Sequence, residues 1–103
     1  MKYDKLVRDS IPEIITRDGK VAITYVANDE EYFTRLKQKL EEEVKEFQQS
    51  GSAEELADVM EVVYALGDYL GVPKERLEDI RNKKCEERGG FKGRIVLVEV
   101  KEG

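Results

Sequence analysis

A two-residue break, Gly51-Ser52, separates two long amphipathic segments and limits the folds open to this chain more than any other feature. Asn28 is placed to cap a helix over about residues 29–49, whose apolar side chains recur at helical spacing. Ser52 is placed to cap a second amphipathic helix over residues 53–70. Because so short a connection favours antiparallel neighbours, the sequence predicts a helical hairpin.

Further elements are predicted on both sides of this hairpin. A short helix is expected at residues 11–17 and a third long helix from about 73 to 88. The β-branched and aromatic segments 21–27 and 94–100 are typical of strands that could pair with each other. We expect a single domain of residues 1–103, mainly α. It is an antiparallel helical bundle completed by oligomerisation, with a small two-stranded β element.

Charge and cysteine content exclude several classes of protein. The formal net charge of −5 argues against nucleic acid as a partner, since nucleic-acid-binding proteins usually carry a basic stripe. One cysteine and no histidine leave no disulfide framework and no zinc-binding spacing. The N-terminus has no signal-peptide pattern and no apolar run is of membrane-spanning length, so we expect a cytoplasmic protein with no membrane partner.

Two acidic pairs border the apolar faces of the predicted hairpin. On a helical wheel, Glu43 and Glu46 lie about 60° and 120° from the centre of the first apolar face, both on one side. Glu55 and Asp58 lie about 60° and 120° from the centre of the second face, again on one side. The antiparallel turn at Gly51 places the pairs level with each other. The four carboxylates are therefore predicted to converge.

Converging carboxylates repel one another unless a cation compensates them. Ligation by carboxylate oxygen alone is typical of Mg²⁺ or Mn²⁺, which keep positions open for water and substrate phosphates. The alternative interpretation is a solvated helix face with lysine pairing, the commonest role of such glutamate runs. The residues alone leave both interpretations open.

The same acids carry a resemblance to a known family. Glu42, Glu43 and Glu46 form an EExxE motif, and Glu55 and Asp58 form an ExxD motif. In this respect the chain resembles the MazG-like, all-α nucleoside triphosphate pyrophosphohydrolases. The flanking stretches KLVRDSIPEII and RNKKCEERGGF are similar to the small, phosphoribosyl-ATP pyrophosphohydrolase-like branch of that family. Eight residues separate Glu46 from Glu55, a shorter spacing than is usual in the family.

The resemblance implies a Mg²⁺-dependent enzyme, with Mn²⁺ as an alternative cofactor, that cleaves a nucleoside triphosphate between its α and β phosphates. It also implies a homodimer or homotetramer. The implied metal ligands are Glu43, Glu46, Glu55 and Asp58. Glu42 is the implied catalytic residue, orienting or deprotonating the attacking water. The implied phosphate-binding residues are Lys5, Arg8, Lys84 and Arg88.

Two other functions remain open from the sequence. The first is a phosphoribosyl-ATP pyrophosphohydrolase of histidine biosynthesis, which uses the same reaction type on another nucleotide. The second is a non-catalytic helical oligomer with a structural metal site.

Overall fold

Four helices build the protein in the computed structural model, which describes residues 3–103. In chain order they are α1 (Ile11–Arg17), α2 (Asp29–Ser50), α3 (Ala53–Tyr69) and α4 (Lys74–Arg88). The predicted mainly α class is therefore confirmed, with helix limits within one residue or so of those expected. No helix in the described part of the chain combines the length and the apolar sequence needed to cross a bilayer.

Helices α2 and α3 form the antiparallel hairpin that the Gly51-Ser52 break predicts. The Asn28 side chain accepts a hydrogen bond from the Glu31 N–H at 2.9 Å and caps α2. Gly51 ends α2 in the left-handed region, at φ 65°, where a residue without Cβ is favoured. At the open end, Phe33 stacks on Tyr69 with ring centroids 4.5 Å apart. This contact joins the start of α2 to the end of α3.

The hairpin buries little apolar surface. Among residues 3–103, the only buried hydrophobic side chains are Leu36 and Val62. Val44, Leu56 and Met60, which the helical pattern places on buried faces, remain 38–51% exposed. The accessible surface is 9494 Å², whereas a compact monomer of 11.9 kDa exposes about 6,000 Å². One chain thus leaves its apolar faces uncovered.

The predicted two-stranded β element is absent from residues 3–103. Segments 21–27 and 94–100 contain no strand, and side chains such as Ile23 (96%) and Val98 (90%) are almost fully exposed. Both segments have the composition of strands, but strand composition does not supply a partner. An isolated two-stranded ribbon is marginal in water without a third strand or a helix to cover it. Neither form of support is present here.

Arg35 contacts both segments that precede α2. Arg35 donates to the Asp4 carbonyl at 2.6 Å and to the Asp4 carboxylate at 3.2 Å. The same guanidinium donates to the Tyr25 hydroxyl at 3.3 Å and to Glu31 at 3.2 Å. Its five fixed donors allow it to serve several acceptors at once. Arg35 therefore positions the N-terminal segment beside α2.

Helix α4 meets α3 at a close backbone approach. The Gly67 carbonyl accepts a hydrogen bond from the Val72 N–H at 2.8 Å, where the chain turns from α3 to α4. A Cβ at Gly67 would lie 2.8 Å from the Val72 carbonyl oxygen and 3.6 Å from the Leu77 side chain. The missing side chain lets the α3–α4 connection fold back against α3.

We predict that Gly67→Ala destabilises the protein. Overpacking against a backbone oxygen costs about 1–3 kcal/mol, which exceeds the gain of about 0.5–1 kcal/mol from alanine in a helix. Urea denaturation followed by circular dichroism measures the change. The control is Gly90→Ala, where the new Cβ meets nothing within 4 Å. Equal stability of the two variants would contradict this account of the α3–α4 connection.

Candidate metal centre

Three carboxylates meet near the closed end of the hairpin. Glu43 comes from α2, and Glu55 and Asp58 come from the first turns of α3. One oxygen of each lies within 4.8 Å of the oxygens of the other two. We call Glu43, Glu55 and Asp58 the acidic cluster. The antiparallel turn thus brings together three of the four ligands predicted from the sequence.

The fourth predicted ligand, Glu46, does not join this group. Glu46 is exposed, whereas Glu43 is only 7% exposed. The helical wheel places Glu46 about 60° farther round α2 from the apolar face than Glu43. The helix packing therefore turns Glu43 toward α3 and leaves Glu46 at the outer border of the site.

Two oxygens of the acidic cluster are buried without a hydrogen-bond donor. They are Glu43 Oε2 and Glu55 Oε2. Glu55 is positioned to close a capping box with the Ser52 N–H, but Ser50 Oγ accepts that hydrogen bond at 3.2 Å instead. The Glu55 carboxylate is thus free to face Glu43. Unpartnered buried carboxylate oxygens are costly, and ligation of a cation is one way to satisfy them.

Burial perturbs the ionisation of Glu43. Desolvation by burial raises the pKa of the Glu43 carboxyl above its ordinary value. Lys39, whose Nζ lies 3.3 Å from Glu43 Oε1, opposes the rise, and the neighbouring Glu46 carboxylate adds to it. Because the raised pKa remains after the lysine contact, Lys39 compensates the buried charge only in part.

Glu42, the predicted catalytic residue, lies outside the acidic cluster and between two lysines. Its Oε1 is 3.0 Å from Lys5 Nζ and 3.6 Å from Lys39 Nζ. The hydrogen bond from Lys5 is the main cause that lowers the pKa of the Glu42 carboxyl. Glu42 is thus held ionised next to the cluster, in a position to accept a hydrogen bond rather than to hold a proton.

The four predicted phosphate-binding residues fall into two groups. Arg8 Nη2 lies 2.7 Å from Asp58 Oδ1, so Arg8 and Lys5 both contact acids of the hairpin. Lys84 and Arg88 are exposed on α4 and form no ion pair with the described part of the chain. The structure therefore brings only the N-terminal pair to the acidic residues.

The acidic cluster fits a divalent cation of the hard, oxygen-binding kind. Mg²⁺ binds oxygens at 2.0–2.1 Å in an octahedron, so adjacent ligands lie about 2.9 Å apart and opposite ligands about 4.2 Å apart. The carboxylate oxygens lie within 4.8 Å of one another, and side-chain rotations that draw them closer would bring all three onto one cation. With no sulfur or nitrogen ligand in the set, the cluster favours Mg²⁺ or Mn²⁺ over softer metals.

Lys39 was not identified from the sequence as part of the site. Its spacing to Glu42 and Glu43, at i+3 and i+4, is the usual one for helix ion pairs and offered a signal. The contact of Arg8 with Asp58 had no such signal, because 50 residues separate the two in the chain.

Comparisons with known proteins leave the family open. A stretch of 42 residues is 45% identical to part of an uncharacterized protein of Mycolicibacterium smegmatis (strain ATCC 700084 / mc(2)155). The match covers 41% of this chain and 43% of that protein, so the chain spans less than half of the relative's length. Neither a protein-family model nor a solved structure matches the chain.

We predict that Glu43→Gln raises the melting temperature at pH 7 in the presence of a chelator. A raised pKa in the folded state contributes stability that is present below the ordinary Glu value of 4.5 and is lost as pH rises through the folded pKa. Glutamine carries no charge and so does not lose this stability at high pH. The gain in melting temperature over wild type should therefore shrink as pH falls toward 4.5. Glu41→Gln, at an exposed position on the same helix, is the control. A pH-independent difference between Glu43→Gln and wild type would contradict the burial of this charge.

Proposed function

We propose that this protein is a Mg²⁺-dependent nucleoside triphosphate pyrophosphohydrolase. Water adds across the α–β phosphoanhydride of the substrate, and the products are a nucleoside monophosphate and pyrophosphate. The observation that carries the proposal is the acidic cluster, in which acids from two helices converge and two buried oxygens have no donor. The EExxE and ExxD motifs support the same assignment through their resemblance to the MazG-like family.

The acids of the hairpin divide into two roles. Glu43, Glu55 and Asp58 hold the cation, and Glu46 at the outer border of the site reaches it only through a change of side-chain position. When bound, the cation supplies charge neutralisation for the polyphosphate and lowers the pKa of a coordinated water. Glu42, whose pKa is lowered by Lys5, accepts a hydrogen bond from the attacking water and orients it.

Cationic side chains of the chain bind the polyphosphate in this proposal. Lys5 and Arg8 lie beside the acidic residues, and both are 43–54% exposed, so a substrate can reach them. Lys84 and Arg88 lie on the exposed surface of α4. They would contact the phosphates only if α4 moved toward the acidic cluster or if they came from a second copy of the chain. Arg8 is the stronger candidate because guanidinium groups bind phosphate oxygens in pairs.

We predict that the purified chain releases pyrophosphate from at least one nucleotide when Mg²⁺ is present. The test is a panel of ribo- and deoxyribonucleoside triphosphates together with phosphoribosyl-ATP, each with Mg²⁺, with Mn²⁺ and with a chelator. Asp58→Asn should lower turnover at least about 100-fold, since a lost metal ligand removes several kcal/mol of charge stabilisation. The matched control is Glu61→Gln, which changes an exposed acid three residues farther along α3.

The outcomes of this panel separate the alternatives. Selective turnover of phosphoribosyl-ATP would indicate a biosynthetic enzyme rather than a triphosphate hydrolase. No turnover of any nucleotide, with a melting temperature that rises with Mg²⁺, would indicate a structural metal site in a non-catalytic protein. If there is no turnover and Mg²⁺ does not change the melting temperature, the metal centre itself is contradicted.

We further propose that the chain works as a homodimer or homotetramer, in which the hairpin joins a larger helical bundle. The single chain exposes about 3,500 Å² more surface than a compact monomer of its mass. Its radius of gyration is 18.4 Å, against about 13 Å for a compact chain of this length. Over two chains this excess amounts to about 7,000 Å², more than the roughly 2,000–5,000 Å² in total that most obligate dimer interfaces bury, so there is ample surface for such an interface.

We predict that sedimentation equilibrium gives a mass two or four times the 11.9 kDa of the chain. Met60→Glu should shift the distribution toward the monomer, because it places a charge on the apolar face of α3, where Met60 is 51% exposed in one chain. Glu61→Gln, on the opposite polar side of α3, should leave the mass unchanged. A monomeric wild-type protein that remains folded at micromolar concentration would contradict the assembly.

A further inference from the structure

The N-terminal segment crosses the hairpin next to the acidic cluster and holds it by ion pairs. Asp4 is bonded to Arg35 of α2, Lys5 lies 3.0 Å from Glu42 of α2, and Arg8 lies 2.7 Å from Asp58 of α3. We call residues 4–8 the strap. The three contacts reach two helices, so the strap spans the hairpin close to the acidic cluster.

Arg8 and a divalent cation require the same carboxylate. Arg8 Nη2 donates a hydrogen bond to Asp58 Oδ1 at 2.7 Å, and the Asp58 carboxylate belongs to the acidic cluster. A cation seated among the three carboxylates withdraws charge from Asp58 and repels the guanidinium beside it. The two cannot both retain their full interaction with this side chain.

The balance of charge indicates which of the two leaves. The acidic cluster carries three negative charges, and its basic contacts are Lys39 on Glu43 and Arg8 on Asp58. Two positive charges against three negative ones leave the cluster under-compensated, in agreement with the unpartnered oxygens of Glu43 and Glu55. A divalent cation together with Lys39 supplies three positive charges. The cation and Lys39 then match the three carboxylates of the cluster without Arg8, with Glu46 beside Glu43 as a further acid at the border.

Arg8 can leave without unfolding the site. The Arg8 side chain is 54% exposed and the Asp58 side chain 40% exposed, so water can solvate the guanidinium once it is released. The strap stays attached at Asp4, where Arg35 makes two hydrogen bonds. Helix α1 begins three residues later, at Ile11. Release of Arg8 therefore changes one end of a short tethered segment.

We propose that Arg8 is an internal placeholder for the divalent cation, which pairs with Asp58 until the cation binds and is then released from it. The strap thereby responds to occupancy of the acidic cluster. This inference rests on the proposed metal centre and adds a competition between a side chain and the metal ion. The release also leaves a free guanidinium at the edge of the site.

Manganese affinity tests the competition. Mn²⁺ binding is measured by the loss of the free-ion electron paramagnetic resonance signal, on the full chain after treatment with a chelator. Arg8→Gln should bind Mn²⁺ about two- to fivefold more tightly than wild type, the range expected from loss of a half-exposed competing ion pair. Arg8→Lys, which keeps the charge, should bind nearly as wild type does.

Lys5→Gln is the matched control. It removes the same charge from the same strap, but its partner Glu42 is outside the acidic cluster. We expect the Mn²⁺ affinity to change by less than about 1.5-fold, which corresponds to the weakest exposed ion pairs. An equal gain in affinity for Lys5→Gln and Arg8→Gln would reduce the effect to general electrostatics and overturn the placeholder.

A second measurement follows Arg8 itself. In ¹⁵N-labelled protein, the Arg8 side-chain N–H signals should shift on addition of Mg²⁺, as the hydrogen bond to Asp58 is lost. The Arg35 signals should stay unchanged, because its contact with Asp4 is kept. Unchanged Arg8 signals at saturating Mg²⁺ would overturn the placeholder and leave the metal centre standing. Absence of Mn²⁺ binding in wild type and Arg8→Gln alike would overturn both.

Discussion

Repulsion among carboxylates at the closed end of the hairpin is the constraint around which the rest of the structure is arranged. Glu43 is 93% buried by accessible area, so its charge has lost most of its hydration. The chain answers with cations from two directions, Lys39 from the same helix and Arg8 from the strap. The compensation is incomplete, because Glu43 Oε2 and Glu55 Oε2 keep no donor. A site that costs stability in this way is typical of a binding function.

Local signals predicted the helices well because those signals act within a few residues. Asn28 and Ser52 cap α2 and α3 through side-chain contacts three residues away, and Gly51 ends α2 by its own backbone conformation. The predicted strands failed because a strand depends on a partner that local pattern cannot supply. Segments 21–27 and 94–100 have strand composition, and neither is paired with a strand in the described chain.

The candidate site was predictable only to the accuracy of a helical wheel. The wheel placed Glu43 and Glu46 on the same side of α2, and the packing of α3 then selected Glu43 for the interior. A difference of 60° decides whether a carboxylate faces the neighbouring helix or water. Arg8 illustrates the other limit, since its contact with Asp58 depends on how Arg35 anchors the strap at Asp4. Contacts between segments so far apart in the chain produce no periodic pattern in the sequence from which they could be predicted.

The uncovered apolar face of α3 and its acid at the cluster lie on different sides of the helix. Leu56 and Met60 are 47% and 51% exposed in the single chain. Each lies two residues from Asp58 in the sequence, which places both about 160° round α3 from that carboxylate. A second copy that covers Leu56 and Met60 would therefore leave the Asp58 side of α3 open. Access of a divalent cation to the acidic cluster does not depend on whether this apolar face is covered.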